Sequence, residues 1–256
     1  MFQKLRKHRF LFEELVKRDF KKKYKRTVLG MLWSLLSPLL SLAVMALIFT
    51  QFFGRTTEHY VIYLFCGNLL YSYFNDATTG GMRSLIANAA IFTKVDVPKY
   101  MFLLSRNVQA FINFCLTIVI FLIFIILEPG LSIRWNFLCL IYPIACITVF
   151  NMGVGMVLSA LYIFFRDIEY LYSIFTMLLM YLSAIFYNIS VYPQHIQYLF
   201  YLNPVYVYIR YFRKIVIENT IPLFSFHLLC AFYAVVMLLL GCWFYKKYNH
   251  KFLYYV

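Results

Sequence analysis

Arg210, Arg213 and Lys214 stand at i, i+3 and i+4, so a helix through them would gather three cations on one face. Such a cluster either meets a phosphate or an anionic sugar or snorkels to a membrane interface. Asp76, beside Asn75 and Thr78, is the one acid inside an otherwise apolar stretch. An ionisable residue in that setting is a candidate for an ion or proton relay, although a relay usually needs several such groups and a polar packing role stays open. Nucleotide hydrolysis is outside the chain's own motifs: there is no GxxxxGK[ST] phosphate loop and no Gly-Lys pair anywhere. HExxH, paired-aspartate metal motifs and GxSxG are absent too. His8, His59, His195, His227 and His250 are scattered, and only His227 lies near an apolar run. Cys66, Cys115, Cys139, Cys146, Cys230 and Cys242 form no CxxC pair and sit in apolar surroundings, which reads as small buried hydrophobes rather than a disulfide or zinc framework. No catalytic centre is therefore expected, and no metal.

The elements that hold these residues follow from composition. The 256 residues are 63% hydrophobic, 21% aromatic and 13% charged, with a mean hydropathy of +0.74. That is more apolar surface than one water-soluble core can hide, since a soluble domain carries about 25% charged residues. Charge is costly in hydrocarbon, so charge-free runs locate the crossings. They place helices at about 33–53, 60–80, 107–127, 135–165, 170–187 and 223–245. The net charge of +14 then becomes a test of orientation. With the N-terminus and the C-terminus both in the cytoplasm, 19 of the 24 Lys and Arg fall inside, leaving Arg55, Arg134, Arg210, Arg213 and Lys214 outside. The same asymmetry removes the need for a nucleic-acid partner. The polar start of the chain argues against a cleaved signal, so the first crossing also targets the protein.

Three segments are not simple crossings. Residues 1–26 are basic with Phe10, Leu11, Leu15 and Val16 at helical spacing, which predicts an amphipathic helix in the cytoplasmic interface. Residues 82–107 are too apolar for a free linker. Residues 84–92 are expected as a helical extension and Pro98 as the start of the next element, giving either a docking surface or a simple connector. The stretch NISVYPQHIQYLFYLNPVYVYIRYFRKIVIEN is expected to fold back into the membrane as short helices broken at Pro204, which requires protein or a water-filled cavity around it. The 23 Tyr, 28 Phe and 3 Trp suit interface belts and also the stacking of sugars along a wide pathway.

KRDFKKKYKRTVLGMLWSLLSPLL, residues 17–40, resembles the start of the first helix in ABC-2-type polysaccharide and teichoic-acid export permeases. The matching residues are Arg18, Asp19, Tyr24, Lys25, Leu29, Gly30, Leu32, Trp33 and Pro38. NAAIFTKVDVPKY resembles that family's loop ending in K-V-x-x-P-R/K, FFRDIEYL its R-D-I/L element, and YLNPVYVYIRYFRKIV its N-P-x…Y-R element. The likeness runs over most of the chain in the right order. Asp96 and Val97 replace the aromatic common before the proline, and Tyr211-Phe212-Arg213 carries an inserted residue.

The resemblance implies an all-α membrane protein: a single ABC-2-type transmembrane domain over residues 1–256, with an interface helix (1–26), a six-helix membrane region (27–245) and a cytoplasmic tail (246–256). It implies a homodimer joined to two copies of a nucleotide-binding subunit, in the bacterial plasma (inner) membrane. The cargo would be a glycan on undecaprenyl diphosphate, such as an O-antigen, capsule or teichoic-acid-like polymer. ATP and Mg would bind the partner subunit and no cofactor this chain. Asn88, Lys94, Val95, Asp96, Pro98, Lys99, Arg166 and Asp167 would couple to the ATPase. Arg18, Asp19, Tyr24, Lys25, Arg26, Gly30, Trp33 and Pro38 would form the interface helix and the start of the first span. Asn203, Pro204, Tyr208, Arg210 and Arg213 would serve the gate or substrate. The alternatives are an ABC-2 permease for drugs or small lipids and a membrane enzyme acting on lipid-linked sugars; the latter needs clustered polar catalytic residues, and only Asp76 qualifies.

Overall fold

A computed structural model describes residues 9–24, 29–53, 58–95, 97–249, 251–253 and 255. All regular structure among them is helical. Backbone groups in hydrocarbon have no water to bond, so each apolar segment satisfies them within its own helix. We number the α-helices α1 (Arg9–Tyr24), α2 (Trp33–Phe53), α3 (Tyr60–Arg83), α4 (Ala89–Phe92), α5 (Tyr100–Leu127), α6 (Ile141–Phe164), α7 (Ile168–Leu182), α8 (Gln194–Phe200), α9 (Pro204–Val216) and α10 (Phe224–Tyr248).

Among the described residues, four stretches have the length and apolarity to cross a membrane: Trp33–Gln51, Tyr100–Leu127, Trp135–Phe164 and Phe224–Tyr248. The second and fifth expected crossings are occupied by helices of a different character. α3 is long enough at 24 residues but carries Asn68, Asn75, Asp76 and Thr78, and most of its surface is buried inside the bundle. α7 has only 15 residues, short of the roughly 20 that a perpendicular crossing needs. It stops where Ala184 enters the left-handed region at φ 48°. α5 begins seven residues earlier than the charge-free run suggested, because Arg106 in its second turn is neutralised by Asp19 of α1.

The helix ends sort into two groups. At one end the start of α3, the end of α5, the start of α6 and Ile185 and Phe186 after α7 share a core with α9 and the start of α10. Phe49 near the end of α2 stacks there on Phe186 at 4.6 Å. At the other end Leu15 of α1, Leu85 and Phe92 of the loop after α3, the start of α5, the ends of α6 and α10, and Phe252 form a second core. The long helices therefore alternate in direction, and α1 shares an end with the residues after α10. The buried stripe of α1 is Leu15 and Asp19 flanked by Leu11 and Phe12; Phe10, expected on that stripe, is 78% exposed.

α6 and α10 approach to backbone contact. A Cβ on Gly153 would lie 2.4 Å from the Met237 carbonyl carbon, and one on Gly241 would lie 2.8 Å from the Gly153 carbonyl oxygen. Helices between lipid tails gain little from apolar burial as such, so small residues that allow close packing carry the association.

Candidate functional site

A groove of about 550 Å³ opens between α2, α3 and α5. Ser34, Ser37 and Ser41 line it from α2, Asn68, Ser72 and Asp76 from α3, and Asn113 and Thr117 from α5. Each set recurs at three- and four-residue intervals, so each helix turns one polar stripe toward the same space. Trp33, Phe65, Tyr73 and Phe114 supply flat apolar faces among them. The Asn113 amide donates to an Asp76 carboxylate oxygen at 3.4 Å, Ser72 donates to the Asn68 amide oxygen at 3.4 Å, and Tyr73 donates to Thr148 at 3.0 Å while its ring stacks on Phe114 at 4.4 Å. Pro38, also on the wall, removes one backbone donor from the second turn of α2. A row of hydroxyls and amides is costly against lipid and is expected only where it meets protein or water. Hydroxyls, amides and ring faces together are the groups that hydrogen-bond and stack a sugar chain. Asp76 is thus part of a polar wall. The three- and four-residue spacing of Ser34, Ser37 and Ser41 is legible in the sequence as one face of α2.

A charged node lies at the α1 end. The Asp19 side chain is fully buried and receives Arg18 Nη2 at 2.7 Å and Nε at 3.1 Å, Ser105 Oγ at 3.3 Å and Arg106 Nε at 3.4 Å. Gln109 donates to the Asp19 carbonyl at 3.1 Å. Arg18 also donates to the Asn88 amide oxygen at 2.6 Å, and Asn88 donates to the Ser84 carbonyl at 2.7 Å. One carboxylate therefore joins α1, the loop after α3 and α5. Ser105, Arg106 and Gln109 were not singled out in the sequence, because a charge on a transmembrane helix is assigned a partner only once the chain has folded. On the exposed side of α1, Arg9 bonds Glu13 at 2.7 Å, and that hydrogen bond with its positive charge holds the Glu13 carboxyl below its usual range.

The remaining loop residues divide. Lys94 and Val95 are exposed in the turn after α4, and Arg166 and Asp167 are exposed before α7. Arg83 and Tyr162 both bond Glu169, which draws the start of α7 toward the ends of α3 and α6. The Pro98 carbonyl accepts from the Met101 amide at 3.0 Å, opening α5. Lys99 donates to the Asn249 carbonyl just past α10. Gly30 has φ 52°, a left-handed conformation that glycine adopts at least cost, in the turn that leads into α2. Tyr24 is the last residue of α1, while Lys25, Arg26 and Asp96 lie outside the described residues.

At the opposite end, Asn203 caps α9 by accepting from the Val205 and Tyr206 amides at 3.0 and 3.4 Å, with Pro204 in the first turn. Tyr208 is buried and donates to the Cys230 carbonyl at 2.9 Å. The three cations of α9 part company. Arg210 pairs with Glu218, Lys214 sits 5.8 Å from the Phe226 ring, and Arg213 is buried. Its guanidinium donates to the carbonyls of Tyr63 (3.1 and 3.3 Å), Ala184 (2.8 Å) and Ile185 (3.0 Å) and lies 3.4 Å from the Tyr63 ring centre. They do not present one cationic face, and Asn203, Pro204, Tyr208, Arg210 and Arg213 do not line the polar groove.

Residues 11–217 match the family described as ABC-2 type transporter. The chain is 28% identical over 251 residues to an O-antigen export system permease protein RfbA of Klebsiella pneumoniae, covering 95% of each. A second Klebsiella pneumoniae protein of that name is 29% identical over 220 residues, 83% of each chain. The Myxococcus xanthus protein of that name is 24% identical over 226 residues, 87% of this chain and 86% of its own.

Proposed function

Because the chain belongs to the ABC-2 type transporter family, we propose that it is the transmembrane subunit of an ATP-driven exporter of an O-antigen-like polysaccharide carried on undecaprenyl diphosphate. It is a transporter permease rather than an enzyme, and a multi-pass integral membrane protein of the bacterial inner membrane. The observation that carries the cargo class is the groove, where three helices turn hydroxyls, amides and aromatic faces into one space.

ATP and Mg belong to a separate nucleotide-binding subunit in this reading, with two copies in the complex. Its docking surface is the α1 end. There the buried Asp19 node ties the amphipathic helix to the loop at 88–99, and Lys94, Val95, Arg166 and Asp167 stand exposed beside it. Six crossings with both termini inside are supported by the alternating helix directions and by the basic residues gathered at that end. α3 crosses within the bundle, and α7 crosses with the turn that follows it. α8 and α9 then form the external re-entrant pair at the exit. A homodimer is part of this reading, because the polar groove between α2, α3 and α5 is open rather than enclosed and polar groups are costly against lipid. A second copy there would close the groove into a pathway.

The test is reconstitution of the chain with its ATPase subunit in proteoliposomes supplied with lipid-linked glycan. ATP-dependent movement of the glycan is expected. Equal transport without the ATPase subunit would reject the reading.

A further inference from the structure

We infer that the turn Lys251–Leu253 after α10 is a strut for the loop at 86–95, with Lys99 as the positioning residue that joins them. Phe252 is fully buried, between an exposed Lys251 and an exposed Tyr255. Its ring lies 5.6 Å from that of Tyr245 in α10 and 6.1 Å from that of Phe164 at the end of α6. The Lys99 ammonium sits 5.5 Å from the Phe252 ring centre and 5.9 Å from that of Phe92, the last residue of α4. It also donates to the Asn249 carbonyl, one of the carbonyls that a helix end leaves without an intrahelical donor. One cation thus binds three segments: the loop through Phe92, the start of α5 through its own backbone, and the end of α10 through Asn249 and Phe252.

The far side of this contact is stiff. The Tyr245 and Ser159 hydroxyls share a hydrogen bond at 2.7 Å, and Gly153 and Gly241 hold α6 and α10 in backbone contact. A push on the loop therefore reaches the α6–α10 pair through the strut as well as through α3 and α5. The inference rests on the proposed meeting of this loop with the ATPase and adds a second line of transmission to it.

Lys99→Met keeps the stem and removes the ammonium; Phe252→Ala removes the ring; Lys99→Arg keeps a cation and a donor. Two measurements separate the strut from the assignment of the loop: hydrogen exchange of residues 86–95 in the purified chain, and glycan moved per ATP in the reconstituted complex. Lys99→Met is expected to raise loop exchange about tenfold, as the loss of one charged hydrogen bond implies, Phe252→Ala to raise it severalfold through loss of the ring that Lys99 rests on, and both to lower glycan per ATP. Lys99→Arg should restore both. Loop exchange unchanged in both variants would overturn the strut. Raised exchange with glycan per ATP as in the wild type would leave the strut standing and overturn the coupling role of the loop.

Discussion

Arg213→Met tests whether the cation in α9 holds the fold or faces cargo. The wild-type guanidinium occupies three carbonyls and lies against one ring. The Ile185 carbonyl loses its donor at a cost of about 1–3 kcal/mol, while the Tyr63 carbonyl stays within α3 and the Ala184 carbonyl still accepts from the Tyr63 hydroxyl at 3.4 Å; the ring contact is worth about 2 kcal/mol when desolvated. The sum overstates the effect, because removing a buried charge also returns several kcal/mol of desolvation. A net loss of about 2–4 kcal/mol is expected, lowering the melting temperature by roughly 5–15 °C for a chain of this size. Arg213→Lys should fall between, since an ammonium cannot reach carbonyls of Tyr63, Ala184 and Ile185 in the planar fork that guanidinium offers. The assay is thermal denaturation of the purified permease in detergent, followed by the loss of its monodisperse size-exclusion peak, with transport measured alongside. A variant that melts as the wild type does but fails to transport would refute the reasoning, because it would put Arg213 in contact with cargo.

Gly153→Ala forces a Cβ against the backbone of Met237 and should abolish the monodisperse peak, whereas Gly80→Ala, with nothing within 4 Å, should retain it and stabilise by up to about 1 kcal/mol. Asp19→Asn leaves Arg18 and Arg106 without their carboxylate; both arginines are partly solvated, so a loss of only about 1–2 kcal/mol is expected. Tryptic cleavage within residues 9–24 should accelerate, and ATPase stimulation by the permease should fall. Ser37→Phe fills the groove from α2 and should stop transport while leaving melting within about 0.5 kcal/mol of the wild type. Undiminished transport in Ser37→Phe would exclude the groove as the pathway.

Runs without charge gave the position of α2, at 33–53 against Trp33–Phe53, and the start of α10, at 223 against Phe224, while α10 continues through Lys246 and Lys247 to Tyr248, past the expected end at 245. The signal is strong there because a charge that reaches lipid without a partner is costly, so the chain places it outside the span. The rule weakened wherever a partner appeared. Arg106 is tolerated inside α5 because Asp19 reaches it from α1, and Asp76 is tolerated in α3 because it opens on a polar groove. Pro204 was legible as a break, and it opens α9 behind an Asn203 cap. The end of α7 was not legible, since Ala184 carries no sequence mark of its left-handed turn.

By itself the sequence determined the solvent: 63% hydrophobic and only 13% charged residues specify a helical membrane protein, because each segment must satisfy its own backbone in lipid. Its motifs also determined the family, through residues such as Gly30 that answer a local backbone need. Only the tertiary structure decided which cations became structural. Arg210, Arg213 and Lys214 are equivalent on a helical wheel, yet Arg213 is buried because carbonyls from residues 63, 184 and 185 converge on it. The groove was decided in the same way, since serines of α2 become one wall of a polar groove only when α3 and α5 turn their own polar stripes toward them.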